Sequence, residues 1–300
     1  MLGIALKWWI FIVVSSSMGL ILLDQTILNI ALPAIQEELL ASNVLLQWTI
    51  NAYLLTMASL IAGLGRLSDL WGRKKMFVIG MLAFMITSFF CGAAVSIESL
   101  LFNRILQAIG GAMMMASAQP ILMDVFPLKE RGLVNGLFVS VIGIFVMLGP
   151  ILGGFFVEYA SWRWVFYINP CIGVPPFLAC CFFIPKDIPL KKKFSMDYWG
   201  MLTLILGCCG IVIGLMEGRH WGWSSWQTVF SIGGGIFSLV AFYFIEKKVK
   251  DPLFELHQFN NAIFRLCCLN TLVAVAVSMI SVFMASYFQY ALKASPSQTS

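Results

Sequence analysis

The chain has 300 residues, of which 60% are hydrophobic and 11% are charged, whereas soluble domains carry about 25% charged residues. A soluble fold of this length cannot remove so much apolar side chain from water, so lipid is the expected solvent for most of it. The formal charge of +5 comes from short basic runs between apolar stretches, which indicates membrane topology signals and no nucleic-acid partner.

Apolar segments that cross about 30 Å of hydrocarbon need about 20 helical residues each. The sequence predicts nine such segments, at 8–32, 46–67, 76–96, 99–123, 133–157, 164–184, 198–216, 227–245 and 262–291. The expected fold class is therefore an all-α integral membrane protein with about nine spans. The connections are mostly shorter than about 20 residues, which leaves no room for a soluble catalytic domain.

The distribution of basic residues between alternate connections predicts a cytoplasmic N-terminus. With that orientation the inside segments hold fifteen basic residues: Lys7, Arg66, Arg73, Lys74, Lys75, Lys129, Arg131, Lys186, Lys191, Lys192, Lys193, Lys247, Lys248, Lys250 and Arg265. The outside segments hold only three, namely Arg163, Arg219 and Lys293. We therefore expect a multi-pass protein of the inner (plasma) membrane with its N-terminus inside.

The first span carries one acidic residue at depth, Asp24, within LLDQTILNIALP at residues 22–33. Helical rise places it about 13 Å from the outer end of the span. A carboxylate there costs roughly 2.5–3.5 kcal/mol on insertion scales, so it should face a cavity or a partner. Burial also favours the protonated form of a carboxyl group, as a proton carrier requires. The alternative is a structural carboxylate that holds polar groups of a neighbouring helix.

The fourth span contains NRILQAIGGAMMMA at residues 103–116, which places Arg104 about one and a half turns from its outer end. Because successive spans alternate in direction, Asp24 and Arg104 should lie at similar depth, where opposite charges pair. A proton or a cationic substrate could then compete for the carboxylate. The alternative is that Arg104 extends its side chain to the outer interface.

The connection between the second and third spans reads GRLSDLWGRKK over residues 65–75. Two glycines suit a tight turn beside a carboxylate and a basic triplet. A basic loop at the inner side of a membrane needs neither the glycines nor the embedded carboxylate. The residues that form this pattern are Gly65, Asp69, Gly72, Arg73, Lys74 and Lys75.

The fifth span contains GIFVMLGPILGG over residues 143–154. Gly149 and Gly153 lie four residues apart on one helix face and allow another helix to approach closely. Pro150 removes a backbone hydrogen bond and favours a bend. Taken alone, this pattern indicates helix packing.

The cysteines and histidines give no sign of metal binding. None of the eight cysteines has the C-x-x-C spacing of a zinc or redox site, so we interpret them as inert packing thiols. The two histidines, His220 and His257, fall in predicted loops. The sequence therefore predicts no metal site.

Together these segments resemble the major facilitator superfamily, and specifically its fourteen-span drug:proton antiporter branch. The matching motifs are Asp24-Gln25-Thr26 through Ala31-Leu32-Pro33, Gly65-x-x-x-Asp69-x-x-Gly72-Arg73-Lys74-Lys75, Arg104-x-x-Gln107-x-x-Gly110-Gly111, Gly149-Pro150-x-x-Gly153-Gly154 and Trp162-Arg163-Trp164-Val165-Phe166-Tyr167-Ile168-Asn169. Pro170 and Lys293 depart from the family's usual pattern. The resemblance covers the whole chain, with the motifs in the family's order.

The resemblance implies roles for three groups of residues. It implies proton or substrate coupling for Asp24, Arg104 and Gln107, and a conformational switch for the loop over 65–75. It also implies that Gly143, Gly149, Pro150, Gly153 and Gly154 form the antiporter helix motif.

The family fold has two six-helix bundles with the substrate site between them. The resemblance therefore implies an N-terminal six-helix bundle at 1–184, a cytoplasmic linker at 185–197 and an additional helix pair at 198–246. Residues 247–300 would hold a cytoplasmic loop and the first helix of an incomplete second bundle. We accordingly expect this sequence to be the N-terminal portion of a longer transporter, truncated on its C-terminal side.

The expected function is secondary active export of hydrophobic or cationic small molecules, such as drugs, by proton antiport. The proton gradient would supply the energy, with no cofactor, and the partners would be the substrate, protons and the lipid bilayer. Membrane-fusion or outer-membrane partner proteins are left open. The alternative is a truncated, non-transporting membrane protein or an assembly partner. An enzyme is not expected, because no span shows a catalytic constellation.

Overall fold

The computed structural model describes residues 4–185, 197–249, 251–254 and 260–273, and its regular secondary structure within these ranges is helical. The helices are α1 (Ile4–Glu38), α2 (Asn43–Trp71), α3 (Arg73–Gly92), α4 (Ile97–Val125), α5 (Arg131–Tyr159), α6 (Trp164–Phe183), α7 (Tyr198–Trp221), α8 (Trp226–Lys248) and α9 (Ala262–Val273). A single 3-10 turn, Leu128–Glu130, precedes α5.

Helices α1 to α8 are each long and apolar enough to cross a membrane, which confirms the first eight predicted spans. The protein is therefore a multi-span membrane protein. The ninth span was expected at 262–291, and α9 forms its first part. The rest of that segment lies outside the described residues.

Polar residues fix where several helices begin. The hydroxyl of Ser42 accepts from the backbone N–H of Leu45 at the start of α2, and Ser96 and Ser99 cap the start of α4 reciprocally. Each such cap satisfies a backbone donor that the helix leaves unpaired and stabilises by about 1 kcal/mol. The third span, predicted to run to residue 96, ends at Gly92 because the cap of α4 occupies Ser96.

The chain divides into two compact units, Met1–Leu253 and Phe254–Ser300. In the first unit α1 packs against α5 and α6, α4 packs against α2 and α3, and α3 also packs against α6. Helices α7 and α8 pack against each other, and α7 lies against α2. In the second unit the described helix is α9.

The side chains that face outward from the first unit are largely apolar. Phe182, Phe230 and Phe237 are 80%, 75% and 74% exposed, and many other large apolar residues share this position. A water-soluble surface rarely exposes continuous apolar area of this extent. Lipid is the solvent that suits such a surface, so the helices bury their few polar groups between themselves.

One end of the first unit collects basic side chains, and we call it the basic end. Lys7 of α1 binds Glu130 of the 3-10 turn at 2.6 Å, and Arg73 of α3 binds Asp124 of α4 at 2.6 Å. Lys74 donates to two backbone carbonyls at the end of α6. The charge count predicts these basic residues on one side of the membrane, and the structure places them together at one end.

Candidate functional site

The structure brings Asp24 of α1 and Arg104 of α4 into direct contact. Arg104 Nη1 donates to Asp24 Oδ2 at 2.5 Å. The Arg104 and Asp24 side chains are 1% and 0% exposed, so the pair is fully enclosed by the helices. The pairing predicted from equal depth is present, and Arg104 does not extend to the outer interface.

Two amide side chains complete the hydrogen bonds of the carboxylate. Gln107 Nε2 donates to Asp24 Oδ1 at 3.0 Å, and Asn169 Nδ2 of α6 donates to the same oxygen at 2.6 Å. Gln107 Oε1 in turn accepts from Arg104 Nη1 at 2.8 Å. Asn169 also donates to the hydroxyl of Ser88 on α3 at 2.9 Å. The carboxylate thus accepts three hydrogen bonds from donors on two helices, one of them charge-assisted.

Helix α2 supplies two further contacts to the arginine. The guanidinium carbon of Arg104 lies 4.1 Å from the centroid of the Tyr53 ring, within the range of a cation–π interaction. Arg104 Nε donates to the backbone carbonyl of Thr49 at 3.4 Å. Helices α1, α2, α3, α4 and α6 therefore meet at one place. We call the buried side chains there the Asp24 cluster: Asp24, Tyr53, Ser88, Arg104, Gln107 and Asn169.

Within the Asp24 cluster, the two charges of Asp24 and Arg104 have no access to water and neutralise each other. Removing one member of such a pair leaves the other buried and unpaired, which costs about 3–5 kcal/mol. Protonation of Asp24 removes its charge in the same way and converts one acceptor oxygen into a donor. A change of charge at Asp24 would therefore alter its direct contacts to α4 and α6.

The segment 65–75 lies at the basic end, but it is not a loop. Helix α2 continues to Trp71, and only Gly72, with a φ of 111°, separates it from α3. A positive φ is the conformation that glycine adopts at least cost. Gly65 lies inside α2, where no described heavy atom comes within 4 Å of its Cβ position. The expectation that both glycines form the turn is therefore wrong for Gly65.

The charged residues of that segment bind to different elements. Arg73 donates from Nε and Nη2 to Asp69 Oδ1, at 3.0 and 2.9 Å, and from Nη1 to Asp124 of α4. Lys74 donates to the carbonyl oxygens of Cys181 and Ile184, at 2.7 and 2.6 Å. Arg73 therefore joins α2, α3 and α4, while Lys74 caps the C-terminus of α6. Lys75 is exposed in the first turn of α3.

The glycine motif of α5 divides into two faces. Gly149 and Gly153 face α1: the Cβ position of Gly149 lies 3.1 Å from Ile27 N, and that of Gly153 lies 3.0 Å from Ile27 O. The Cβ positions of Gly143 and Gly154 have no described heavy atom within 4 Å. Pro150 is exposed within the helix. The close approach predicted for this motif thus involves two of its glycines.

At the opposite end of the first unit, Arg163 joins three helices. It donates to Glu38 at the end of α1 at 2.7 Å, to the carbonyl oxygen of Gly92, the last residue of α3, at 2.9 Å, and to that of Ala94 just beyond α3 at 2.6 Å. Trp162 Nε1 donates to the same Glu38 at 2.7 Å. The sequence assigned Arg163 as an outside charge and as part of the sixth-span motif, and the structure gives it a bridging position.

Sequence reasoning missed three members of the Asp24 cluster: Tyr53, Ser88 and Asn169. The signal available for Asn169 was its place at the end of the sixth-span motif, where a polar amide interrupts apolar residues. Tyr53 and Ser88 have no comparable signal, because tyrosine and serine are common in membrane helices. Their inclusion depends on how α2 and α3 are rotated against α4 and α6.

The cysteines and acidic residues do not gather into a metal site in the part of the chain that the structure describes. No group of three or more His, Cys, Asp or Glu side chains there is arranged to hold a metal ion. All eight cysteines are free thiols, and Cys91 lies beside the Asp24 cluster with its Sγ 3.7 Å from Gln107 Oε1.

The sequence matches one protein family and several named relatives over most of its length. The family model described as Major Facilitator Superfamily matches residues 14–300. The "Multidrug transporter protein MdtP" of Bacillus subtilis (strain 168) is 32% identical over 81% of this chain and 44% of its own length. The "Puromycin resistance protein pur8" of Streptomyces alboniger is 33% identical over 82% of this chain and 49% of its own length.

These relatives are named as transporters or resistance proteins, and the chain spans about half the length of the curated relatives that it matches. A crystal structure of a bacterial homolog to the human lysosomal transporter Spinster matches 83% of this chain and 64% of that chain, with 17% identity and a TM-score of 0.48. The family match covers nearly the whole sequence and includes every residue of the Asp24 cluster. The chain therefore belongs to the Major Facilitator Superfamily.

Proposed function

We propose that the protein is a secondary active transporter that exports hydrophobic or cationic small molecules in exchange for protons. The observation that carries this proposal is the buried pair of Asp24 and Arg104, with side chains 0% and 1% exposed. A carboxylate at this depth is costly even when it is paired, and ionisable residues inside membrane spans commonly mark proton or substrate pathways. The names of the relatives, which include a multidrug transporter and a puromycin resistance protein, support export of drug-like molecules.

In the proposed mechanism, Asp24 is the group that takes up and releases the proton. Protonation cancels the attraction between Asp24 and Arg104 and frees the guanidinium to bind another anion, while its contact with the Tyr53 ring can remain. A cationic substrate has the same effect, because it competes with Arg104 for the carboxylate. Exclusive occupancy of one carboxylate by a proton or a cation couples the two fluxes, provided that the site opens alternately to the two sides of the membrane.

The two motifs outside the cluster have separate proposed roles. Arg73, held by Asp69 and Asp124, keeps α2, α3 and α4 together at the basic end during one state of the transport cycle. The pair Gly149 and Gly153 lets α5 slide against α1 because backbone meets backbone there. Movement of α1 along this contact would carry Asp24 with it.

We further propose that the protein lies in the plasma membrane with its basic end in the cytoplasm. The proposal follows from the positive-inside rule, since Lys7, Arg73, Lys74 and Arg131 share that end. The N-terminus of α1 would then be cytoplasmic.

Labelling of single cysteines tests this orientation. In a background without native cysteines, Ser42→Cys should react with an impermeant maleimide added outside intact cells, and Lys129→Cys should not. Both positions are exposed, and they lie at opposite ends of the first unit. Efficient external labelling of Lys129→Cys, with protection of Ser42→Cys, would reverse the proposed topology.

Transport in membrane vesicles tests the proposed function. The full-length protein should extrude a lipophilic cation such as ethidium when a pH gradient is imposed, and Asp24→Asn should lower the rate by about 100-fold or more, the typical contribution of a positioned proton-transfer group. Asp24→Glu keeps a titratable group and should retain part of the activity. Glu37→Gln, at an exposed position, is the matched control.

Each variant is compared at equal amounts of folded protein, judged by size-exclusion profile in detergent. Efflux by folded Asp24→Asn at the rate of the unmodified protein would assign Asp24 a structural role only. Absence of efflux by the unmodified protein, with any of several lipophilic cations, would instead favour a non-transporting membrane protein.

A further inference from the structure

The helix pair α7–α8 meets the rest of the first unit along one face of α2. Ser59 Oγ lies 3.8 Å from Cys209 Sγ, and Gly63 leaves room for the side chain of Met201. A third contact is made at Trp48. Trp48 lies 11 residues before Ser59, and Ser59 lies 4 residues before Gly63; both spacings are close to whole numbers of helical turns, so the three residues share one face of α2. Helix α7 therefore packs along about four turns of α2.

The third contact is a hydrogen bond between an indole and a carboxylate. Trp48 Nε1 donates to Glu217 Oε1 of α7 at 2.7 Å. Glu217 lies close to the C-terminus of α7, where the helix dipole disfavours a negative charge. An acidic residue in an apolar span is also costly. The charge-assisted bond from Trp48 offsets part of this cost, and it fixes the height and rotation of α7 on α2.

The neighbouring face of the same turn of α2 contacts the Asp24 cluster. Thr49 follows Trp48 directly, and its carbonyl accepts from Arg104 Nε at 3.4 Å. Tyr53, one turn further, lies under the guanidinium of Arg104. Consecutive helical residues point about 100° apart. One turn of α2 is therefore bound on one side by Glu217 and on the other by Arg104.

We propose that Glu217 is a positioning residue for the Asp24 cluster. By binding Trp48, it holds the turn of α2 that presents the Tyr53 ring and the Thr49 carbonyl to Arg104. The helix pair α7–α8 thereby takes part in setting the geometry of the buried charge pair. The inference rests on the proposed function for its meaning in transport, but its geometric content can be tested without transport.

The first test measures the register of α7 on α2 by cross-linking. In a full-length protein whose only cysteines are native Cys209 and Ser59→Cys, oxidation in membranes should form a disulfide readily, since the two side chains already touch. Glu217→Ala should form it about tenfold more slowly, the factor expected for loss of one hydrogen bond to a charged group. Glu217→Gln keeps an acceptor oxygen and should cross-link at the original rate.

The same assay has a reciprocal variant and two matched controls. Trp48→Phe removes the donor and keeps an aromatic ring, so it should slow cross-linking as Glu217→Ala does. Glu37→Ala removes an exposed carboxylate, and Trp226→Phe changes an exposed tryptophan at the start of α8. Both controls should leave the rate unchanged.

The second test reports on the Asp24 cluster itself. Native Cys91 is buried beside Gln107, so in a background without the other seven cysteines it should react slowly with N-ethylmaleimide. Glu217→Ala should raise this rate about tenfold if α2 no longer holds Arg104 in place. Glu217→Gln should restore the slow rate, which a general loss of stability at position 217 would not allow.

The combined outcomes decide the proposal. Slower cross-linking together with faster Cys91 labelling in Glu217→Ala, both rescued by Glu217→Gln, supports it. Unchanged cross-linking overturns the anchoring contact, and slower cross-linking with unchanged Cys91 labelling overturns the positioning role. In vesicles, efflux should fall about tenfold in Glu217→Ala and be retained in Glu217→Gln. Lack of efflux by the unmodified protein would refute the proposed function and leave both labelling results valid.

Discussion

Replacement of Arg104 by methionine should lower the free energy of unfolding by about 3–5 kcal/mol, the cost of leaving one member of a buried ion pair uncompensated. The remaining Asp24 carboxylate would lie 0% exposed between helices, with only the amides of Gln107 and Asn169 as donors. Methionine fills much of the volume of arginine, so the loss is electrostatic more than steric. Thermal unfolding of the purified protein in detergent measures the effect.

The second half of the same experiment removes both charges. Asp24→Asn in the Arg104→Met background should recover most of the lost stability, because the asparagine oxygen can still accept from Gln107 and Asn169. The two substitutions should therefore be strongly non-additive, as expected for groups in direct contact. Arg219→Met, at an exposed position on α7, controls for loss of a positive charge. Additive losses at Asp24 and Arg104 would show that the two residues do not stabilise each other.

The pairing of Asp24 and Arg104 could be predicted because it depends on quantities that a sequence contains. Depth in the membrane follows from the number of residues to the end of a span, and opposite charges at equal depth attract. The eight spans could be predicted for the same reason, since each is an apolar segment of sufficient length. The pairing also requires that α1 and α4 be neighbours, which the depth argument assumed and the structure shows.

The remaining contacts of the site depend on helix rotation and on neighbour identity, which a single sequence does not contain. Asn169 reaches Asp24 only because α6 packs against α1 and α3 together. Tyr53 reaches Arg104 only because α2 turns that face toward α4. Gly65 shows the opposite error: glycine suggested a turn, whereas α2 continues through it to Trp71, since a glycine inside a helix costs only about 1 kcal/mol.

The fifth-span motif leads to the second large expected effect. Gly149→Val should impair both folding and transport, because the backbone nitrogen of Ile27 lies 3.1 Å from the Cβ position and Thr26 already occupies that space. A backbone atom cannot move aside as a flexible side chain can, so α5 and α1 must separate. Overpacking of this kind costs about 1–3 kcal/mol, and separation also removes packing that holds membrane helices together. Because α1 carries Asp24 three residues before Ile27, efflux should fall by about tenfold or more.

Gly154→Val is the matched control within the same motif, since it introduces the same side chain on the same helix, five residues further along. No described heavy atom lies within 4 Å of its Cβ position, so thermal stability should remain close to that of the unmodified protein. If Gly149 acts by admitting α1, then only Gly149→Val should lower stability, and efflux should fall with it. Equal destabilisation by the two variants would show that close approach to α1 is not what glycine provides at position 149. If Gly154→Val kept full stability but lost efflux, the helix face that carries Gly154 would have its own role in transport, separate from the contact between Gly149 and α1.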